Sequence, residues 1–297
     1  MARMIAVICA VFLLAAPAGL AQKKGPKVFI SADMEGIWGV VHTNQTSSDS
    51  AEYGAARKWM VEDVNAVIDG LFDAGAGEIV VNDSHATMRN IQADALNPKA
   101  SLISGTPKPL SMMQGIDASY DAVVFAGYHA RAGTAPAILD HTISGGTVRA
   151  IRVNGQELPE MGLNAAIAGY YKVPVILLTG DTETCGQASA LLGAGLVTAA
   201  VKEATGRFAA RMFPREEARA RLRAAAKEAL LKKDGIAPFR LAPPFMFDVE
   251  WQTSAQAEMP LLLPGVKRTA PRSIWFSATD YIEGFKLLRA TIALAAY

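Results

Sequence analysis

Cysteine is scarce in this sequence, which excludes a fold stabilised by disulfides. Two of the 297 residues are cysteines, and Cys9 lies in an apolar N-terminal stretch. If that stretch is removed, only Cys185 remains, so no intrachain disulfide can form even in an oxidising compartment. The stability of the fold must therefore come from a buried core, which a chain of this length and of Ala-, Val- and Leu-rich composition can supply.

The sequence also lacks an excess of charge of either sign. It contains 29 Lys and Arg residues against 28 Asp and Glu residues, and removal of the N-terminal stretch, which includes Arg3, makes the two totals equal. Neither the basic footprint of a nucleic-acid-binding protein nor a polybasic membrane patch is present. We therefore expect no nucleic-acid partner.

The N-terminus has the layout of a secretory signal peptide. Arg3 precedes an apolar stretch over residues 5–16, and Pro17, Gly19 and Ala21 follow it. A membrane anchor needs about 20 apolar residues, whereas this stretch is shorter and ends in helix-breaking residues, which favours cleavage. We predict a signal peptide over residues 1–21, cleavage after Ala21, a periplasmic or secreted mature protein, and no membrane association after cleavage.

Four short apolar runs each end at a polar side chain that can bind a metal ion. The runs cover residues 28–32, 79–81, 123–128 and 175–178, and they lead into Asp33 and Glu35, into Asp83 and His85, into His129, and into Asp181. Short buried strands that end in polar residues at one sheet edge are how open α/β folds build active sites. The pattern therefore favours an enzyme.

The spacing of apolar residues predicts an α/β fold with a doubly wound, mostly parallel sheet. Helical periodicity over residues 52–74 and 160–171 separates strand candidates, as in right-handed parallel crossovers. After a charged helical segment at 214–233, the strand candidates 245–251 and 273–279 no longer alternate with helices. We predict an α/β metal-binding catalytic core over residues 22–205, and a helical segment with a smaller C-terminal α+β subdomain over residues 206–297.

Asp33 and Glu35 point in the same direction if they continue the strand, because side chains alternate along a strand with a period of two. Two adjacent carboxylates repel each other, and burying them is costly unless a cation compensates. A divalent metal ion is the simplest compensation. By itself the pattern is weak, because acidic and glycine-rich turns after strands are common.

Histidines strengthen the hypothesis of a metal site. His85 and His129 each follow a strand candidate, and with His141 and the acidic pair they form a ligand set that suits zinc. His42 lies in a polar stretch and is expected to be an exposed loop residue. Glu160, at the start of a predicted helix, is explained from spacing alone as an acid that complements the helix dipole.

The sequence alone does not decide the roles of two further acidic residues, Asp83 and Asp181. Asp83 could orient a ligand histidine without binding the metal itself. Asp181 could cap the helix that follows it or line the wall of a pocket.

The polar segments at the strand ends resemble those of a known family. The segments are Ser31-Ala32-Asp33-Met34-Glu35-Gly36, Asn82-Asp83-Ser84-His85, Gly127-Tyr128-His129-Ala130-Arg131 and Glu160-Met161-Gly162-Leu163-Asn164-Ala165. In this order they are similar to the zinc-dependent D-aminopeptidases of the DppA type, peptidase family M55, and the resemblance runs from about Lys27 to the C-terminus.

The resemblance implies a specific site and assembly. Asp33 would bridge two zinc ions, with Glu35, His85, His129 and Glu160 as the remaining ligands, and His141 would be the catalytic histidine. The expected reaction is hydrolysis of the N-terminal peptide bond of small D-amino-acid-containing peptides by metal-activated water. The resemblance also implies a ring-like homo-oligomer, with a decamer as its expected form.

Three alternatives stay open at this stage. The first is a dimetal hydrolase of L-peptides or of other small amides or esters. The second is a metal- or solute-binding protein of the cell envelope without catalytic activity. A two-metal phosphoesterase ranks lower, because the sequence has no Gly-rich phosphate-binding loop of the usual form.

Overall fold

A mostly parallel sheet and a smaller antiparallel sheet form the framework of the computed structural model, which describes residues 25–297. In chain order, the strands are β1 (Lys27–Ala32), β2 (Glu78–Asp83), β3 (Ser101–Ile103), β4 (Ala122–Ala126), β5 (Val148–Val153), β6 (Gln156–Glu157), β7 (Val175–Asp181), β8 (Val197–Gly206), β9 (Ala209–Met212), β10 (Phe245–Trp251), β11 (Lys267–Ala270) and β12 (Ser273–Ala278). The α-helices are α1 (Thr43–Thr46), α2 (Tyr53–Asp73), α3 (Glu160–Tyr170), α4 (Thr182–Leu192), α5 (Arg215–Lys232) and α6 (Tyr281–Ala295). The predicted signal peptide lies outside the described residues.

The larger sheet has the strand order β3-β2-β1-β4-β7-β8-β9, and only the pairing of β8 with β9 is antiparallel within residues 25–297. Side chains of β1 alternate between two cores, because Val28 and Ile30 face one side of the sheet and Phe29 faces the other. Helices α2 and α5 cover the first side, and α3 and α4 cover the second. The predicted doubly wound, mostly parallel α/β fold is confirmed.

The smaller sheet has the order β11-β12-β10-β5-β6 and is antiparallel throughout. Its buried face contains Phe247 and Phe276, whose rings stack at 4.9 Å, and the fully buried Trp251. Helix α6 packs on this sheet and also reaches α3, where the Tyr281 hydroxyl donates to the Leu163 carbonyl at 3.0 Å. The second sheet is therefore joined to the first through α3 and α6.

The predicted boundary at residue 205 does not separate the strands of one sheet from the strands of the other. Strands β5 and β6, before that position, pair with the C-terminal strand β10, whereas β9 and α5, after it, belong to the layers of the larger sheet. The sequence pattern does not predict β5 as a strand, because its buried residues alternate irregularly with Arg149 and Arg152. Antiparallel pairing then joins β5 to a strand nearly a hundred residues later, which local periodicity does not indicate.

Within the described residues, none of the helices combines the length and the apolar character that crossing a membrane requires.

Candidate metal centre and active site

The predicted ligands meet at the carboxyl ends of three neighbouring strands. β1 lies between β2 and β4, and its last residue, Ala32, is in register with Asp83 on one side and Ala126 on the other. The chain runs outward from β1 in both directions across the sheet, so this position is a topological switch point, where open α/β sheets bind ligands. Asp33 and His85 leave the sheet here, side by side.

The loop after β1 is pressed against the loop after β4. The Asp33 amide donates to the Ala126 carbonyl and the Gly36 amide donates to the Gly127 carbonyl, both at 2.8 Å. A Cβ atom on Gly36 would lie 2.0 Å from the Tyr128 carbonyl oxygen, so only glycine fits at this position. The contact fixes the loop that carries both carboxylates.

Lys202, on β8, also binds the loop after β1. Its side chain is fully buried, and its Nζ atom donates to the carbonyls of Glu35 at 2.6 Å, Ile37 at 2.8 Å and Val40 at 2.6 Å. Three acceptors match the three N–H groups of an ammonium ion. Burial lowers the pKa of Lys202 to about 7, while the charges of Asp181, Asp63 and Glu35 oppose that shift.

Each of the three predicted site histidines has one ring nitrogen bonded to a backbone carbonyl. The pairs are His85 Nε2 with Thr46 O at 2.9 Å, His129 Nδ1 with Ala130 O at 3.0 Å, and His141 Nδ1 with Leu139 O at 2.9 Å. A carbonyl only accepts, so these nitrogens carry the hydrogen, and in a neutral ring the other nitrogen offers a lone pair. This is the arrangement in which histidine binds a metal ion.

The free ring nitrogens face the carboxylates. His85 Nδ1 lies 3.1 Å from Glu35 Oε2 and 3.4 Å from Asp33 Oδ1. His129 Nε2 lies 3.4 Å from Asp33 Oδ2 and 3.6 Å from Glu160 Oε1. The structure thus brings together all five residues that were predicted to bind metal.

Two overlapping groups of three side chains each bring their potential metal-ligand atoms within 4.8 Å of one another. Within residues 25–297, these are the groups of three or more His, Cys, Asp or Glu side chains that meet this distance. Asp33, Glu35 and His129 form one group, and His129, His141 and Glu160 form the other. His141 stacks on His129 with ring centroids 3.9 Å apart. It is therefore positioned either to act on a bound substrate or to donate to a metal ion.

The site is electrostatically incomplete without a cation. Burial and the charge of Glu35 raise the pKa of Asp33 to about 7. Burial opposes a charge on His129, but Glu160 and Asp33 outweigh it and raise the pKa of His129 to about 10. In the same way, the nearby carboxylates raise the pKa of His85 well above its ordinary value against the effect of burial. The carboxylates thus draw protons onto the histidines where a metal ion would supply the positive charge.

The donor atoms fit a metal ion better than they fit one another. Asp33 Oδ2 and His129 Nε2 are buried and have no hydrogen-bond partner, although buried polar atoms are nearly always paired. A divalent ion would satisfy both atoms. Imidazole and carboxylate donors are the set that zinc takes in catalytic sites.

A cavity of about 180 Å³ opens beside these donors. Its lining includes the polar residues Asp33, Ser84, His85, Ser111, His141, Glu160, Asn164 and Arg289, and the apolar residues Ala86, Met88, Met112, Ile143 and Phe285. The volume is below the roughly 300–1,000 Å³ of pockets for drug-sized ligands. The cavity therefore suits a small ligand.

Glu160 is the first residue of α3, as predicted, and its side chain turns into the site. It is 4% exposed, and its Oε2 accepts the Ile143 amide while its Oε1 faces His129. The charges of His129 and His141 lower the pKa of Glu160 despite its burial. An acid that only complemented the helix dipole would not need these contacts.

The remaining acids and His42 stay outside the donor set. Asp181 caps α4 by accepting the Thr184 amide at 2.7 Å, as one of the two open interpretations proposed. Asp83 does not touch the His85 ring; it accepts the Asn90 amide at 2.6 Å and so fixes the loop that carries His85. His42 is exposed, as expected, and caps α1.

Three residues of the site carry no signal of their role in the motifs described above. Asn164 donates to the Tyr128 hydroxyl at 3.0 Å beneath the cavity, Lys202 holds the loop after β1, and Arg289 faces the cavity from α6. Asn164 lies one helical turn after Glu160, so helical periodicity places it on the same face of α3. No comparable signal marks the two basic residues.

Comparisons with known proteins agree with this geometry. The profile of the peptidase family M55, described as D-aminopeptidase, matches residues 27–290. The chain is 36% identical over 272 residues to a D-aminopeptidase of Bacillus subtilis strain 168, covering 91% of this chain and 97% of that protein. A solved structure, the Zn-dependent D-aminopeptidase DppA from Bacillus subtilis, described as a self-compartmentalizing protease, matches with a TM-score of 0.88 and 35% identity, over 91% of this chain and 98% of that one.

Proposed function

We propose that this chain, which belongs to peptidase family M55 and is a metallo-aminopeptidase, uses zinc to remove the N-terminal residue from small D-amino-acid-containing peptides. The observation that carries the proposal is the pair of unpartnered buried atoms, Asp33 Oδ2 and His129 Nε2, which lie 3.4 Å apart. In the neutral ring, two lone pairs face each other at this distance, and a metal cation between or beside them would satisfy both. The zinc dependence of the similar solved structure supports zinc as that cation.

Asp33, Glu35, His85, His129 and Glu160 are the residues that would hold the metal. Asp33 offers one carboxylate oxygen to each side of the site, since Oδ1 faces His85 and Oδ2 faces His129. This geometry supports two ions per subunit with Asp33 shared between them. When bound, zinc supplies Lewis acidity that polarises a scissile carbonyl and lowers the pKa of water.

His141 is the residue we assign to proton transfer. The Leu139 carbonyl holds its Nδ1–H at 2.9 Å, so Nε2 is free to take a proton from the attacking water and to deliver it to the leaving amine. Its ring stacks on that of His129, which keeps Nε2 beside the donor atoms. A covalent intermediate on His141 is not required when water is the nucleophile.

Compartment and assembly are further parts of the proposal. The signal-peptide pattern of residues 1–21 supports a periplasmic or secreted enzyme. The description of the similar solved structure as a self-compartmentalizing protease supports a homo-oligomer, and we propose a ring, with the decamer as its expected form.

A substrate panel tests the proposed activity. The purified mature protein, with zinc restored, is assayed on matched D- and L-aminoacyl amides and dipeptides. We expect faster turnover of the D-series. Faster turnover of the L-series would support the first alternative, an L-peptide or general amide hydrolase, and metal binding without turnover of either series would support the envelope binding protein.

A further inference from the structure

A guanidinium group without a partner faces the active-site cavity. Arg289 lies on α6, and its side chain lines the cavity together with Glu160, Asn164 and Phe285. Among residues 25–297, none forms a hydrogen bond or an ion pair with it. By contrast, Arg152 and Arg223 each contact a carboxylate within 3.3 Å.

The side chain of Arg289 is only partly exposed to solvent. Burial lowers the pKa of Arg289, and the charge of Glu160 opposes that shift. Arginine nevertheless stays protonated in proteins, so a partly dehydrated positive charge faces the cavity. Such a charge normally has an acceptor, and a ligand that brings an anionic group would provide one.

Helix α6 gives Arg289 a fixed position in the wall of the cavity. The helix is anchored at its first residue, because the Tyr281 hydroxyl donates to the Leu163 carbonyl of α3 at 3.0 Å. Glu160 begins the same helix α3, so both charges are set on elements that contact each other. The cavity is therefore lined both by donor atoms of the metal centre and by a cationic side chain.

We propose that Arg289 binds the C-terminal carboxylate of the substrate, so that the enzyme prefers short peptides with a free carboxyl end. This inference rests on the proposed function and adds a substrate class to it. The planar guanidinium matches a carboxylate with two parallel hydrogen bonds. The cavity of about 180 Å³ has room for a small peptide, and Phe285 and Met112 form apolar parts of its wall.

The test compares a free acid with its neutral counterpart. The zinc-loaded mature protein is assayed on D-Ala-D-Ala and on D-Ala-D-Ala amide, and substrate consumption is followed by chromatography. For the wild type, we expect a preference for the free acid on the order of 10- to 100-fold in kcat/KM, the usual effect of a hydrogen bond between charged groups. Arg289→Met should remove this preference, chiefly through a higher KM for the free acid.

Two further variants complete the experiment. Arg289→Lys keeps the charge without the paired geometry, so it should restore part of the preference. Lys286→Met removes a positive charge from the exposed face of the same helix, and it should retain the full preference. Zinc content and urea unfolding of every variant show whether the site and the fold are intact.

The outcomes separate this inference from the proposed function. If Arg289→Met lowers kcat/KM equally on both substrates, or lowers the zinc content, Arg289 balances charge at the metal site and the inference is wrong. A wild type that hydrolyses both substrates equally also overturns it, while the aminopeptidase function stands. If the zinc-loaded wild type hydrolyses neither, the proposed function fails and the inference fails with it.

Discussion

Replacing Lys202 by methionine should loosen the loop that carries Asp33 and Glu35. In the native structure, the buried Nζ atom donates to three carbonyls of this loop, those of Glu35, Ile37 and Val40. Methionine fills a similar volume but donates no hydrogen bond. The Ile37 carbonyl would keep a second donor, the Val40 amide at 3.3 Å, whereas the other two carbonyls have no other donor within residues 25–297.

The size of the effect follows from those two carbonyls. A buried acceptor left without a partner costs about 1–3 kcal/mol, so two cost about 2–6 kcal/mol. The variant no longer buries an ammonium ion, which offsets part of this cost. We expect a net loss of about 2–4 kcal/mol in the free energy of unfolding, a large part of the roughly 5–15 kcal/mol that stabilises a typical protein.

Urea unfolding of the zinc-free protein, followed by tryptophan fluorescence, measures this loss. Trp38 lies in the same loop and packs edge-to-face on Trp59, so the signal reports on the region concerned. Zinc affinity, measured by competition with a chromophoric chelator, should also fall by about 10- to 100-fold, the usual effect of disturbing the support of metal ligands. Lys227→Met, an exposed substitution on α5, is the control. The reasoning is refuted if Lys202→Met unfolds at the same urea concentration as the control and binds zinc as tightly.

Three further predictions concern the site and its surroundings. His141→Ala should retain the zinc content of the wild type and lower kcat by about 10²- to 10⁴-fold, as expected for a proton-transfer group; loss of zinc in this variant would make His141 a ligand. Burial raises the pKa of Asp63 from 3.8 to about 6, so the native state binds this proton more tightly than the unfolded chain does, and its stabilising effect is lost as the pH rises through that range. The unfolding free energy of the wild type relative to Asp63→Asn should therefore fall by about 2 kcal/mol between pH 4 and pH 7; a difference that does not change with pH in urea titrations would contradict this. Gly36→Ala should cost about 1–3 kcal/mol or more, because its Cβ would overlap the Tyr128 carbonyl oxygen, whereas Gly54→Ala, which meets no neighbouring atom, should be neutral or stabilising in thermal unfolding. Equal melting temperatures for the two glycine variants would show that the loop after β1 can move away.

The strands that carry the site were predictable because their apolar runs are short, buried and bounded by polar residues. Val28–Ala32, for example, lies within β1, and the acids that follow it do meet the histidines after β2 and β4. The parallel sheet makes this inference possible, since the carboxyl ends of its strands share one edge. The role of Glu160 could not be predicted in this way. Its position at the start of a helix suits both an acid that complements the helix dipole and a metal ligand, and only the family resemblance favours the ligand.

Other features depend on contacts between distant segments, which local patterns do not contain. Lys202 lies in a strand and resembles a solvated lysine until the carbonyls of residues 35–40 fold over it. Arg289 resembles any charged residue of an amphipathic helix until α6 packs on α3. Strand β5 has no continuous apolar run, and its burial depends on pairing with β10.

Anomalous diffraction at the zinc absorption edge from crystals of the purified protein tests the central claim most directly. We predict two peaks of anomalous density among Asp33, Glu35, His85, His129 and Glu160, each about 2.0–2.2 Å from its ligand atoms. The absence of density there in zinc-loaded crystals, or zinc bound elsewhere on the chain, would contradict the assignment of these residues as the metal centre.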